Sequence, residues 1–175
     1  MKPFQPLISA ALILTIAFTG CTDNTSDTTV TGNTDTAGAI TVNADDANQE
    51  KLEANKKLVT EFYQAFFGDK DSTSIDKYIA DNIIQHSPLF MDGKDAFKNA
   101  LRPFYTNPNI TKKTVDIKHM AAEGDKVWLM VKDVAPNGRE FARLDIFKVE
   151  NGKITEHWVV EQAVPKESAN KNTMF

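Results

Sequence analysis

Hydrophobic residues follow a helical period in the first part of the chain and a strand period in the last part. The helical repeat at i, i+3, i+4 and i+7 consists of Val59, Phe62, Tyr63 and Phe66. It predicts an amphipathic helix over residues 49–67, which Gly68 ends. A short helix over residues 74–79, an extended segment over residues 82–86 and a third helix through Phe97, Leu101 and Phe104 are predicted to follow.

After residue 109 the hydrophobic positions alternate with a period of two. This alternation predicts four strands, over residues 111–122, 126–135, 139–150 and 153–164. Short turn sequences rich in Gly, Asn and Asp separate them, which is typical of antiparallel hairpins. Helices followed by a strand meander indicate an α+β domain, with the helices on one face of a curved antiparallel sheet.

The turns predict the sheet register. With three-residue loops at 136–138 and 150–152, Asp145 is expected opposite both Leu129 and His157, and Arg143 opposite Val159. One face of the sheet then carries Val127, Leu129, Val131, Phe141, Arg143, Asp145, Phe147, His157, Val159 and Glu161. Apolar residues mixed with a few charges are typical of a pocket wall.

The opposite face of the predicted sheet is continuously apolar. It carries Trp128, Met130, Leu144, Ile146, Trp158 and Val160. Helices in so small a domain cover only one side of a sheet, so we expect this face to pack against a second copy of the chain. The sequence therefore predicts a homodimer.

The N-terminal region has the pattern of a signal peptide and a tether. Lys2 precedes an uncharged apolar run over residues 7–18, and Phe18-Thr19-Gly20-Cys21 follows it. This segment resembles a bacterial lipobox, although Phe18 stands where Leu is usual. Residues 1–20 are thus predicted to be a lipoprotein signal peptide, and Cys21 the lipidated membrane anchor. Ordinary secretion with an incidental cysteine is the alternative.

Composition indicates how the rest of the chain is organised. Residues 21–50 contain no aromatic side chain and are rich in Thr, Asp, Asn and Gly, so they are predicted to form a disordered tether. One domain is expected over residues 51–165, and a C-terminal tail over residues 166–175. Thr22 takes the place of the Asp that favours inner-membrane retention in enterobacteria, so the outer membrane of the cell envelope is preferred.

Charge and motif content exclude several kinds of site. The net charge of −4 argues against a nucleic-acid partner. Cys21 is the single cysteine, so no intrachain disulfide forms and no cysteine is left for catalysis. No His-x-x-x-His spacing or phosphate-binding glycine loop occurs. We therefore expect neither metal nor cofactor.

Several motifs resemble one family. Ile84-Gln85-His86-Ser87-Pro88 followed by Asp92-Gly93, the run from Leu144 to Ile154, and Glu156-His157-Trp158 are similar to the signatures of SnoaL-like proteins. These belong to the nuclear transport factor 2-like superfamily, and the C-terminal residues resemble its subgroup described as predicted aldol-condensation enzymes. The resemblance implies a cone of three helices packed on a curved sheet, with a deep pocket and commonly a homodimer.

One position departs from the family pattern. The acidic residue that serves as general acid/base in SnoaL-type cyclases corresponds to Val159, which carries no proton. Glu161 stands two residues further along the same face, about 7 Å away. Together with Arg143 it is a candidate for binding a polar ligand group. A mutual Arg143–Glu161 salt bridge is the alternative.

Asp145 and His157 are the candidate catalytic pair. A carboxylate between apolar neighbours must be hydrogen-bonded or perturbed, so Asp145 is predicted either to be a general base or to form an ion pair with Arg143 or His157. His157 is predicted either to act with Asp145, as a base or as a hydrogen-bond donor to the ligand, or to be a hydrogen-bonded histidine of the core. The remaining ligand-binding candidates are His86, at the expected pocket mouth, with Phe141, Phe147 and Val159.

Three functions are consistent with the sequence. The first is an envelope-anchored pocket protein that binds, and in a further step converts, a small apolar carbonyl compound. The second is a cofactor-independent aldol-type cyclase or isomerase with Asp145 as base. The third is a non-catalytic interaction domain with a vestigial pocket.

The lipid-anchor hypothesis predicts the effect of one substitution. Cys21→Ser removes the thiol that would be acylated, so we expect incorporation of labelled palmitate to be lost and the protein to leave the membrane fraction. Thr22→Ser serves as the control. Continued palmitate labelling of the Cys21→Ser protein would exclude acylation at this residue.

Overall fold

The computed structural model describes residues 44–175, so the predicted signal peptide, Cys21 and most of the predicted tether lie outside the described residues. Its helices are α1 (Ala44–Tyr63), which continues as a π-helical segment (Gln64–Gly68), α2 (Thr73–Tyr78) and α3 (Lys94–Tyr105). Within residues 44–175, no helix has the length and apolar character needed to cross a bilayer.

Helix α1 begins earlier than predicted. Residues 44–48, which precede the predicted helix start at residue 49, were expected to belong to the disordered tether, but they lie in its first two turns. Asp45 and Asp46 stand in the first turn, where negative charge is favoured by the helix dipole. Gln49 donates to Glu53 one turn later, at 3.0 Å. These local interactions offset the lack of apolar contacts, because the first buried residue of α1 is Asn55.

Five strands form one sheet in the order β1-β5-β4-β3-β2. Their bounds are β1 Ile79–Gln85, β2 Asp116–Glu123, β3 Lys126–Val134, β4 Glu140–Glu150 and β5 Lys153–Ala163. The expected class, an α+β cone with helices packed on a curved sheet, is confirmed. The sheet is antiparallel except at one edge, where β1 pairs parallel with β5. β2 begins five residues later than predicted.

The predicted register is correct between β3 and β4 and wrong between β4 and β5. Leu129 lies opposite Asp145 as expected. Asp145, however, lies opposite Val159, and Arg143 opposite Glu161, a shift of two residues. A two-residue turn at Asn151 and Gly152, both with positive φ, moves the register by one residue. A bulge beside Lys148 moves it by one more.

Because that shift is an even number of residues beyond the bulge, the side chains assigned to the two faces stay on their predicted face. The inner face packs against the helices. The core there consists mainly of Val59, Phe62, Phe66, Ile75, Ile83, Phe97, Val127, Leu129, Phe147 and Ile154. The outer face carries the predicted apolar residues, of which Leu144 is 38% and Val160 70% exposed. His119, opposite Met130, also lies on the outer face.

The C-terminal tail has no regular secondary structure. Its last residue nevertheless contacts the sheet. The ring of Phe175 lies 6.0 Å from the ammonium of Lys118 on β2 and 5.7 Å from that of Lys132 on β3. These are cation–π contacts, and they hold the end of the chain beside the sheet.

The π-helical segment fixes the chain that enters β2. Gln64 accepts a hydrogen bond from Val115 N at 3.0 Å and donates one to Lys113 O at 3.2 Å. Lys113 N donates to Gly68 O at 3.0 Å. A Cβ at Gly68 would lie 2.7 Å from Lys113 O and would also meet the Gln64 amide. Glycine is therefore required for this close approach.

Gly68→Ala is expected to lower the free energy of unfolding by about 1–3 kcal/mol, because the added methyl overpacks the Gly68–Lys113 contact. Urea unfolding measures the loss. Gly138→Ala provides a comparison, since nothing lies within 4 Å of its Cβ and only its positive φ opposes the change. A Gly68→Ala protein as stable as the parent would show that the contact is not tight.

Candidate functional site

A cavity of about 550 Å³ lies between the helices and the inner face of the sheet. Its apolar lining consists of Phe67, Pro88, Leu89, Phe90, Phe97, Leu101, Phe104, Val115, Val131 and Val159. Its polar lining consists of Tyr63, Ser87, Lys113, Asp116, Lys132, Asp133, Arg143, Asp145, His157 and Glu161. Such a volume and a mainly apolar wall suit a small organic molecule.

Asp145 is the buried carboxylate of the cavity wall, with 3% of its surface exposed. Its Oδ2 accepts a hydrogen bond from the Tyr63 hydroxyl at 2.9 Å. Its Oδ1 lies 3.0 Å from Nε2 of His157. Each oxygen thus has a protein donor, and these two hydrogen bonds offset the cost of burying the charge. Four lone-pair positions on a carboxylate leave further acceptor capacity toward the cavity.

His157 is held on three sides. Its ring stacks on Phe147, with centroids 4.8 Å apart and planes at 11°. Since an ionised carboxylate only accepts, the Nε2 that faces Asp145 carries a proton. Nδ1 lies 2.9 Å from the side-chain oxygen of Gln85 on β1. The ring orientation is therefore set by residues from two neighbouring strands.

The Gln85 amide faces the His157 ring from β1. Its side-chain oxygen lies next to Nδ1, and its Nε2 is buried without a partner among residues 44–175. Gln85 does not line the cavity, so it is a positioning residue for the His157 ring.

Tyr63 stays protonated at this site. Burial raises the pKa of its hydroxyl well above the ordinary value of 10.0, and the neighbouring Asp145 carboxylate raises it further. A neutral hydroxyl is the form that donates to Asp145. Helix α1 supplies this residue, so the same helix that builds the core also satisfies the carboxylate.

Charged residues form a cluster around Arg143, which we call the charged cluster: Lys113, Asp133, Arg143 and Glu161. Arg143 Nε donates to Glu161 at 3.0 Å, and its Nη2 lies 3.4 Å from Asp133. Lys113 pairs with Asp133 at 3.0 Å. Burial opposes the charge of Arg143, but the nearby Tyr63 and Asp145, and after them Glu161 and Asp133, outweigh it and raise its pKa.

The structure brings five predicted site residues together at the cavity: Arg143, Asp145, His157, Val159 and Glu161. Asp145 pairs with His157 and not with Arg143. The expected alternative of an Arg143–Glu161 salt bridge is present, because the shifted register places these two residues directly opposite each other.

Three other predicted ligand-binding residues do not line the cavity. His86 was expected at the pocket mouth, but its ring stacks on Trp158 of β5, 4.1 Å between centroids, and its Nε2 pairs with Glu156 at 2.9 Å. Phe147 lies in the core beneath His157. Phe141 lies beyond the cavity, with the Arg139 guanidinium 5.1 Å from its ring.

Tyr63 and Gln85 complete the polar network but were not predicted as site residues. Tyr63 belongs to the apolar repeat of α1 and Gln85 to a quoted motif, so each was assigned to another role. Their pairing with Asp145 and His157 depends on contacts between distant segments. In the part of the chain that the structure describes, no cluster of three or more His, Cys, Asp or Glu side chains suits a metal ion.

Comparison with known proteins gives a consistent result. The chain matches the family model of the SnoaL-like polyketide cyclases over residues 57–169, more than half of its length. A search of the curated proteins returns no match.

Solved structures with the same fold include proteins from several sources. An NTF-2 like protein from Burkholderia xenovorans is 17% identical, covers 68% of this chain and 91% of its own, and has a TM-score of 0.56. Bal32a, from a soil-derived mobile gene cassette, is 18% identical over 63% of this chain and 91% of its own, with a TM-score of 0.54. An NTF2-like protein from Mesorhizobium loti is 14% identical over 64% and 93%, with a TM-score of 0.54. At these identities the likeness shows the fold.

Tyr63→Phe is expected to lower the free energy of unfolding by about 1–2 kcal/mol at neutral pH, because buried Asp145 loses a donor. The raised pKa also makes the parent protein lose stability as the pH rises above the unfolded value of 10.0, where only the unfolded chain releases this proton. Tyr63→Phe has no such proton, so its free energy of unfolding is expected to fall less steeply above this pH. Urea unfolding between pH 8 and 11 measures both effects. Tyr105→Phe controls for loss of a hydroxyl elsewhere, and an unchanged alkaline slope in Tyr63→Phe would contradict the assignment.

Proposed function

We propose that this chain, which belongs to the SnoaL-like polyketide cyclase family, binds a small and mainly apolar carbonyl compound in its cavity. The observation that carries the proposal is the open cavity of about 550 Å³, whose apolar wall surrounds the buried Asp145–His157 pair. The aromatic lining would contact the apolar part of the ligand. The polar end of the ligand would lie next to the hydrogen-bond network of Tyr63, Asp145 and His157.

Two features favour a binding site over a vestigial pocket. In a protein that only docks partners, the cavity is expected to be filled by side chains and Asp145 to be locked to Arg143. Here the cavity is open, and Arg143 is engaged by Glu161 and Asp133. Asp145 is held instead by Tyr63 and His157, which leaves lone pairs available to a ligand.

Catalysis of an aldol-type cyclisation or isomerisation is the second candidate. A specific observation favours it, namely a carboxylate in the cavity wall with two fixed donors. In this reaction Asp145 would take a proton from the carbon next to a ligand carbonyl, and the electron pair would move to the carbonyl oxygen as an enolate. His157 would hold Asp145 in place, because its Nε2 proton is directed at that carboxylate. Val159, opposite Asp145, supplies no second acid.

The site is proposed to work at the bacterial cell envelope. Lipidation of Cys21 would anchor the chain to a membrane, with the outer membrane preferred, and the following residues would connect the anchor to the domain. We also propose a homodimer. The support for it is the apolar outer face of Trp128, Met130, Leu144, Ile146 and Trp158, of which Leu144 is exposed and the other four are half-buried, since such a face is costly to leave in water.

The binding proposal is tested by filling the cavity. Val159→Phe places a phenyl ring in the cavity, whereas the neighbouring Val160→Phe places the same ring on the outer face. Native mass spectrometry of protein purified from its own envelope is expected to show a small-molecule adduct in the parent and in Val160→Phe, and none in Val159→Phe. A parent protein that never carries an adduct would count against binding.

The catalytic candidate is tested by Asp145→Asn. The amide keeps the size of the carboxylate but accepts no proton at working pH, so we expect loss of turnover with the fold retained by circular dichroism. Asp76→Asn, which lies outside the cavity lining and pairs with Lys98, is the control and is expected to retain turnover. Unchanged turnover in Asp145→Asn would end the hypothesis that this residue is the base.

A further inference from the structure

Some of the hydroxyl and imidazole donors that line the cavity are already bonded within the protein, and one is not. The Tyr63 hydroxyl gives its proton to Asp145 Oδ2, and the Nε2 proton of His157 points at Asp145 Oδ1. Both are already used within the protein. Ser87 is the remaining neutral donor of the lining.

Ser87 is buried, with 4% of its surface exposed, and it follows β1 at the start of a tight turn. Its Oγ accepts a long hydrogen bond from Leu89 N at 3.3 Å, and its carbonyl oxygen accepts one from Phe90 N at 3.2 Å. Among residues 44–175, the Ser87 hydroxyl donates no hydrogen bond to a protein acceptor. Leaving a buried hydroxyl donor unpaired is costly, so we expect this proton to bond an acceptor in the cavity.

The backbone on either side of Ser87 is fixed next to His157. The preceding residue, His86, donates its backbone N–H to His157 O at 2.8 Å. The Phe90 ring on the same turn lies 6.3 Å from the His157 ring. Ser87 is therefore held beside the strand that carries His157, and its side chain lines the cavity there.

We propose that Ser87 donates a hydrogen bond to an oxygen atom of the bound molecule, and so selects ligands with a carbonyl-type acceptor. The inference rests on the proposed binding function and narrows it. The wall near His157 then offers one unused donor, Ser87, and one acceptor, Asp145. A ligand whose polar end is an acceptor oxygen matches the donor, and an apolar molecule of the same shape leaves it unpaired.

A structural role for Ser87 makes a different prediction. If its hydroxyl served only the turn, by accepting from Leu89 N, then its removal would loosen the turn beside the cavity. Every ligand of the cavity would be affected alike. Comparing two ligands of one shape separates the two roles, because only one of them carries an oxygen.

Acetophenone and α-methylstyrene are suitable probes, since they differ by an oxygen in place of a CH₂ group. Their binding to the parent and to Ser87→Ala is measured by NMR titration. Loss of one neutral hydrogen bond is expected to weaken acetophenone binding about five- to tenfold. α-Methylstyrene binding is expected to stay unchanged, which also shows that the variant is folded. Ser87→Thr keeps the hydroxyl and is expected to restore the preference, and Ser74→Ala controls for a buried serine outside the cavity lining.

Each outcome decides a separate point. Selective weakening of acetophenone in Ser87→Ala, with recovery in Ser87→Thr, supports the proposal. Equal weakening of both probes assigns Ser87 to the turn and overturns it, while the binding function stands. Unchanged binding of both probes also overturns it. Failure of both probes to bind the parent protein removes the proposed apolar binding function, and the Ser87 proposal with it.

Discussion

Burial of one carboxylate governs the arrangement of this domain. Asp145 lies on the inner face of the sheet, where an unpaired charge would cost several kcal/mol. Tyr63 from α1 and His157 from β5 each direct a donor at one of its oxygens. Gln85 from β1 then contacts the far side of His157. A helix and three strands are thereby connected through four polar side chains, and the relative placement of these elements depends on that network.

The same network explains why a cavity remains open beside it. Because the polar groups along the wall satisfy one another, no side chain has to cross the space between sheet and helices to pair with them, and aromatic residues line part of that space. The π-helical segment helps to define one side, since Gln64 and Gly68 fix the chain through Lys113 and Val115. The charged cluster balances Arg143 without engaging Asp145. An open apolar space beside a fixed carboxylate can hold an apolar ligand with one polar end.

Much of the fold follows from periodicity, whereas the exact contacts of the site do not. The period of two assigned the named inner and outer residues of β3, β4 and β5 to the correct face, since parity survives a shift of two residues. The pairing of Asp145 with His157 was expected across strands. In the structure Val159 lies directly opposite Asp145, and His157 lies two residues away along β5. The two side chains therefore pair diagonally across the strands, because the turn and the bulge have shifted the register. Tertiary packing determines the roles of Tyr63 and Gln85. It also places the His86 ring against Trp158 and away from the cavity. Such contacts leave no periodic signal in the sequence.

Asp145 fixes the His157 ring through Nε2, and nitrogen-15 NMR of the histidine rings measures this pairing. In the folded protein at neutral pH, we expect a proton on Nε2 of His157 whose resonance is shifted downfield by the hydrogen bond, and loss of that shift in Asp145→Asn. His119, exposed on the outer face, provides an internal reference. An Nε2 without a proton on His157, or a downfield resonance that survives in Asp145→Asn, would show that Asp145 does not hold the ring.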